Sequence, residues 1–327
     1  MLEPPTVTGF GGGGLVATRT VRLDAAPRRL ATASWWGGKY TVASGETVTV
    51  YISRAYPEVD SIGRQWAEFF AGLVHGSELG LMTAYVAPLA EVQELCESEF
   101  VIGCYWGQTL VTVGDSSAGE SPASVAAHEY GHHIARNRNN PPWSAIDWGT
   151  KRWASAMGIC GLVAKGVAFP GDEGENYAFN PGEAFAESYR VLIETNGTGL
   201  AYDWPIVDPS FRPDARALAA LREDVLHPWA EPVSRTIRAR FASKRRSWSA
   251  SFATPLDGDL QVAVTVPGGG TDDVSLISSD GTTLARGTWS SSGGKSLGYR
   301  VCGSRSVRVR VIRRGVSARF TLRITAP

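Results

Sequence analysis

From about residue 235 onward the sequence carries no helical periodicity. "RTIRARF", "SWSASFA", "LQVAVTV", "DVSLIS", "SLGYRVCG", "SVRVRVIRRG" and "ARFTLRIT" alternate apolar with polar residues, and Gly, Ser, Asp and Pro separate them. A period of two turns one face of each segment toward a core, so this stretch reads as a small all-β sandwich. Before residue 233 the grammar is mixed. "TVTVYIS", residues 47–53, has the pattern of a half-buried strand, and "LMTAYVAPL" and "QTLVTVG" read as two more. Ile62, Trp66, Phe69, Phe70, Leu73 and Val74 recur at helical spacing behind Asp60 and Ser61, which can cap. Ser121 with Pro122, and Asn180 with Pro181, mark two further helix starts. Asn196-Gly197 ends the second of these, and residues 214–226 read as another helix. The expected fold class is therefore α+β. Residues 1–233 form a mixed sheet with helices and residues 234–327 an accessory β-sandwich, while residues 1–33 give no firm element.

Charge follows the same boundary. The chain's 32 basic and 32 acidic residues cancel, yet residues 234–327 hold 16 Lys/Arg against 5 Asp/Glu. Such a basic module can touch nucleic acid, an anionic envelope polymer or an acidic neighbour, or its arginines can simply face water. Water-facing arginine and envelope contact are the expectations carried forward; no nucleic-acid partner is expected. No apolar run approaches the ~18 residues of a membrane span. The opening "MLEPPTVTGFGGGG" has neither a basic n-region nor an apolar h-region, so a secreted form of this sequence is expected to have shed its leader. Four cysteines permit two disulfides. Cys96 and Cys104 flank a short loop, which leaves Cys160 and Cys302 to pair across the two modules; the alternative is four buried thiols.

The chemistry is concentrated in "AAHEYGHHIARNR", residues 126–138, which holds three of the five histidines. His128 and His132, four apart on a helix, lie about 40° from one another around the axis, so both rings can reach one ion. His133 points about 100° away from His132 and is expected outside the site. Glu129, beside them, can hold a water rather than the ion, and the H-E-x-x-H arrangement suits zinc. A third protein ligand is still required. A histidine six residues beyond His132 is absent, since Arg138 stands there and Ala135 replaces the glycine that would accompany it. "NPGEAFAESYR" supplies carboxylates instead. Glu183, in the first turn of its helix, can ligate, and Glu187, one turn on, can accept the other ring N–H of a ligand histidine.

"HEYGH" with "NPGEAFAESY" resembles the gluzincin metallopeptidases, and "EAFAE" is closer to the form in anthrax-lethal-factor-type peptidases than to that in thermolysin. The resemblance covers roughly residues 40–200. It implies a zincin-like fold, one Zn²⁺ per chain on His128, His132 and Glu183, Glu129 as general base and Glu187 as partner of a ligand histidine. It further implies an oxyanion donor, for which Tyr177 is the candidate by position, and substrate pairing along "YWGQTLVTVG", residues 105–114. Fifty residues separate His132 from Glu183, more than in thermolysin-like chains, so a segment with Trp143, Trp148, Trp153 and Cys160 has to loop out. The acidic run "GDEGEN", 171–176, lacks ordered calcium-loop spacing and reads as a mobile surface loop. The C-terminal strand rhythm resembles the pre-peptidase C-terminal modules of secreted bacterial peptidases.

The function expected is zinc-dependent hydrolysis of peptide bonds, in a secreted endopeptidase, by a metal-activated water with Glu129 as base. Two alternatives stay open. One is a weakly catalytic zincin-fold binding protein that holds an anionic envelope polymer, and the other is a zinc hydrolase of non-peptide amide bonds.

Overall fold

The structure, a computed structural model, describes residues 2, 5, 19–23, 34–268, 272–290, 294–303 and 305–327. The chain divides into two compact units: Met1–Trp153 with Leu162–Trp229, and Ala154–Gly161 with Ala230–Pro327. Through residue 229 the elements are β1 (Arg19–Arg22), β2 (Trp35–Thr41), β3 (Thr47–Ser53), α1 (Asp60–Gly72), β4 (Thr83–Ala87), α2 (Leu89–Leu95), β5 (Val101–Trp106) and β6 (Thr109–Val113). There follow α3 (Pro122–Arg136), α4 (Ala145–Trp148), α5 (Lys151–Met157), α6 (Ile159–Ala164), α7 (Pro181–Glu194) and α8 (Ala215–Leu226).

In the first unit one mixed sheet runs β1-β5-β6-β4-β3-β2. β3, β4 and β6 are mutually parallel, while β5 runs antiparallel to β6 and β1 runs parallel to β5. Two sequence expectations are corrected here. Residues 105–114 are not one strand: the chain turns at Gly107-Gln108, and β6 lies between β5 and β4 with both edges paired. Gly107 takes φ 57°, the left-handed conformation that a two-residue hairpin turn demands. Residues 1–33, expected to give no element, contain β1; apart from residues 2, 5 and 19–23 that expectation lies outside the described residues.

Helix α3 packs across β5 and β6 and against α7. Every residue from Pro122 to Ala135 is buried, so this helix is enclosed on all sides instead of showing a polar face to water. Pro122 fits its first turn, but Ser121 makes no side-chain cap, nor do Asp60 and Ser61 cap α1, whose N-cap is Val59. Asn180 does cap α7, its side chain accepting from the Gly182 N–H. The two helices meet at Gly131. A Cβ there would lie 2.7 Å from Ala186 Cα, so only glycine admits this closeness.

The second unit contains β7 (Val233–Arg240), β8 (Ser247–Thr254), β9 (Gly258–Thr265), β10 (Asp273–Ser278), β11 (Thr283–Arg286), β12 (Thr288–Ser290), β13 (Gly294–Val301), β14 (Arg305–Ile312) and β15 (Arg319–Ala326). They form two antiparallel sheets, β11-β10-β14-β8 and β12-β13-β9-β15-β7. Leu260, Val262, Leu276, Val307, Val309, Val311, Phe320 and Leu322 place both sheets around one core, as in a sandwich. The alternation read from the sequence is physical: Val307, Val309 and Val311 are buried, whereas Arg308 and Arg310 are exposed. Both disulfides are present, Cys96–Cys104 and Cys160–Cys302. Cys160 and Cys302 both belong to the second unit, so their bridge closes within it and not across the units.

Candidate metal centre

Adjacent turns of α3 present His128 and His132 on one face, and the first turn of α7 brings Glu183 to meet them. His128 Nε2 lies 3.3 Å from Glu183 Oε2, and His132 Nε2 lies 3.3 Å from Glu183 Oε1. One donor atom from each of the three residues falls within 4.8 Å of the others. Two donors each ~2.1 Å from a tetrahedral ion stand about 3.4 Å apart, so the observed spacings fit a shared cation. The hydrogen-bonding count agrees. His132 Nδ1, His132 Nε2 and Glu183 Oε1 are buried without a hydrogen-bond partner, because the 3.3 Å approach of His132 to Glu183 lacks hydrogen-bond geometry. Buried polar atoms left unpaired are costly, and a cation shared by His132 Nε2 and Glu183 Oε1 would remove that cost for these two. The group His128, His132 and Glu183 can hold a metal ion.

Its surroundings set the orientation of His128 and of Glu183. His128 Nδ1 meets Glu187 Oε2 at 3.1 Å, which places the ring proton on Nδ1 and turns the Nε2 lone pair toward the cluster. Glu187 is clamped in turn by Arg190, whose Nη2 donates to Oε1 at 2.6 Å and whose Nε donates to Oε2 at 3.0 Å. Arg190 also pairs with Glu194, and Glu194 accepts from the Ser124 hydroxyl of α3 at 3.0 Å. Tyr177 donates to Glu183 Oε2 at 2.9 Å. Its hydroxyl therefore rests on the ligand carboxylate. His133 faces elsewhere, its Nε2 donating to the Glu78 carbonyl at 2.8 Å and its Nδ1 lying 3.2 Å from the Tyr105 hydroxyl. Glu187→Gln should weaken zinc binding at least ~10-fold in a competition titration against a chromophoric chelator, because the ring loses its charged acceptor. Unchanged affinity would remove Glu187 from the orienting role.

Glu129 is fully buried and neither carboxylate oxygen has a partner. It lies beneath β5, where a Cβ on Gly103 would come within 2.6 Å of Glu129 Oε1. Burial pushes its carboxyl well above the ordinary range, opposed only in part by His128. Burial also works to raise Glu183, but His132 and His128 outweigh it and hold that carboxyl well below the usual range. For His128 burial pulls downward, while the bonds to Glu183 and Glu187 win and lift the imidazole to about 10, so a cation binding at Nε2 would displace a proton there and leave the Nδ1–H on Glu187. One carboxylate is thus held ionised among donors, and its neighbour, without any, is pushed upward by burial into a stronger base. A ligand and a proton acceptor need those two environments respectively.

Three participants escaped the sequence reading. Thr20 of β1 places its hydroxyl 2.9 Å from His128 Nε2, 3.0 Å from the Tyr177 hydroxyl and 3.2 Å from Glu183 Oε2. Glu173, expected in a mobile surface loop, accepts from Asn180 Nδ2 at 3.1 Å and from the Arg22 N–H at 3.4 Å. Burial and the neighbouring Glu183 charge push its carboxyl up to about 9, against Arg22. Gly103 is the third. Of the segment expected to loop out, Trp153 packs edge-on against Phe185 of α7, and Trp143 stacks on Trp148.

No family model matches the chain, and no curated protein matches it. Among solved structures it is similar to the pre-peptidase C-terminal domain of a collagenase from Bacillus anthracis. The match has 11% identity and a TM-score of 0.25 over 28% of this chain and 87% of that one. A likeness of that size carries no argument about fold or function.

Proposed function

We propose that this protein is a secreted zinc endopeptidase of the gluzincin type, with a zincin-like first unit as the catalytic part and the β-sheet unit as its accessory. The observation that carries the reading is the pairing of a three-donor cluster at ligand spacing with Glu129, a buried carboxylate with no hydrogen-bond partner among the described residues. A zinc ion held by His128, His132 and Glu183 would supply Lewis acidity toward a carbonyl and acidify water. The chain's own residues do the rest. Glu129 takes the proton from the attacking water and delivers it to the departing amine nitrogen, acting as base and then as acid. Glu187 and Arg190 keep His128 in the tautomer that ligation requires. Tyr177 steadies Glu183 with its one hydroxyl proton, and it would donate to charge developing on a carbonyl oxygen only by giving up that bond. In the second unit, exposed Arg308 and Arg310 on β14 of one sheet, and exposed Arg319 and Arg323 on β15 of the other, give each sheet a positive outer face that would suit an anionic envelope polymer.

Elemental analysis of protein purified without added metal or a metal-affinity tag should find close to one zinc per chain. Digestion of a mixed peptide library should stop on chelation and resume when zinc is restored. If the protein takes up no zinc, or if a Glu183→Ala variant digests the library equally well, the proposal fails. Hydrolysis confined to non-peptide amides in a parallel panel would reassign the substrate.

A further inference from the structure

The four ligating and proton-handling side chains are completely closed to solvent, which is no arrangement for turnover of a peptide: His128, Glu129, His132 and Glu183 have no exposure at all. Part of the cover is the chain's own β1. It pairs parallel with the outer edge of β5, Thr20 opposite Gly103 and Arg22 opposite Tyr105, with the Arg19 N–H bonded to the Phe100 carbonyl at 2.8 Å and the Leu23 N–H to the Tyr105 carbonyl at 2.9 Å. Without β1, β5 would be an edge strand with free main-chain groups, the surface on which an extended peptide adds itself to a sheet.

Thr20, Arg22 and Arg19 of the segment each meet groups at the site. The Thr20 hydroxyl lies 2.9 Å and 3.2 Å from two of the three ligand residues' donor atoms, the spacing of a further donor around the same ion. Arg22 is held by Asp147 at 2.7 Å, with Glu173 at 3.7 Å, and also donates to the Ile146 carbonyl at 3.0 Å. Arg19 lies over the Tyr177 ring at 5.2 Å. A side-chain hydroxyl, instead of a scissile amide, reaches the ligands.

We propose that Arg19–Arg22 is an internal competitor of substrate: it occupies the peptide-binding edge of β5, seats Thr20 on the metal ligands, and is locked by Arg22 in an acidic subsite of Asp147 and Glu173 that, once vacated, accepts an arginine of an extended peptide. The proposal rests on the peptidase reading for what the cleft does, but its test does not.

Two measurements on the whole protein decide it. Trypsin acting on the native, unmodified protein should spare the bonds after Arg19 and Arg22, because both lie in a paired strand; rapid cutting at these two bonds in folded protein overturns the proposal. A fluorescent peptide of the sequence TRTVRL should then be titrated into wild type, Arg22→Ala and Arg22→Glu, each with and without zinc, by anisotropy. Affinity should rise at least 10-fold in Arg22→Ala and further in Arg22→Glu, whose new charge is repelled by Asp147 and Glu173. Equal affinity in all three sinks the proposal, even if each digests peptides well, and the peptidase reading then stands alone. Tighter peptide binding with no hydrolysis by any form upholds the occupied groove and removes the peptidase reading.

Discussion

Glu129→Gln should leave zinc content unchanged, at one per chain, and lower kcat/KM for peptide hydrolysis by about 10³-fold, within the 10²–10⁴ that a positioned general base contributes. The expectation follows from what this side chain does not do. Among the described residues it has no hydrogen-bond partner, so its amide isostere forfeits no hydrogen bond there, and it is not among the three residues that could hold the ion, so those donors are untouched. What disappears is a basic oxygen beside the cluster. Steady-state kinetics with elemental analysis of the same preparations checks both halves. Retained activity would remove Glu129 from the reaction, and lost zinc would make it a ligand.

Gly131→Ala should weaken zinc binding by at least ~10²-fold and lower the melting temperature, although alanine is the better helix former by ~1 kcal/mol. The added Cβ would sit 2.7 Å from Ala186 Cα, 3.0 Å from Ala186 O and 3.1 Å from Tyr189 Cβ. None of these atoms can rotate away. The helices must separate, and overpacking of this kind costs about 1–3 kcal/mol or more, which outweighs the propensity gain. Because His128 and His132 ride on α3 and Glu183 on α7, the same separation moves ligands that must hold their places to about 0.2 Å. Gly72→Ala is the matched control, since a Cβ there meets nothing within 4 Å. A chelator-competition titration and a thermal melt of each variant decide the matter. If Gly131→Ala matches wild type in both, the crossing of the helices does not set the site.

The two helices that carry the candidate metal centre could be read from the sequence because their information is local. Four-residue spacing puts His128 over His132 and Glu183 over Glu187 whatever the rest of the chain does. The strands of the second unit were legible for the same reason, as Val307, Val309 and Val311 alternate with arginines along one strand. What escaped depends on distant partners. β1 is four residues with an arginine at each end, too short to register a period, and it becomes a strand only by pairing with β5, some eighty residues on. Gly103 and Gly131 are silent in sequence because their meaning lies in what stands opposite them. Glu173 looked solvated inside an acidic run, whereas Arg22 and Asn180 draw it inward. One miss had a local signal. The Gly107-Gln108 pair between two apolar runs marks a two-residue hairpin, and heeding it would have separated β5 from β6 and identified which of them owns the edge.

The contacts from His128 through Glu187, Arg190 and Glu194 back to Ser124 begin and end on α3 and pass along α7 between. Mechanically this is a closed truss, pinning the two helices at points one turn apart on α3 and two turns apart on α7. Neither helix can slide along or roll against the other without breaking the buried His128–Glu187 and Ser124–Glu194 hydrogen bonds, each to a charged group and so worth about 1.5–3 kcal/mol. The entropy of gathering the donors is therefore settled when the chain folds, and an arriving cation meets a finished socket, unlike the small metal domains in which the ion itself must organise the polypeptide.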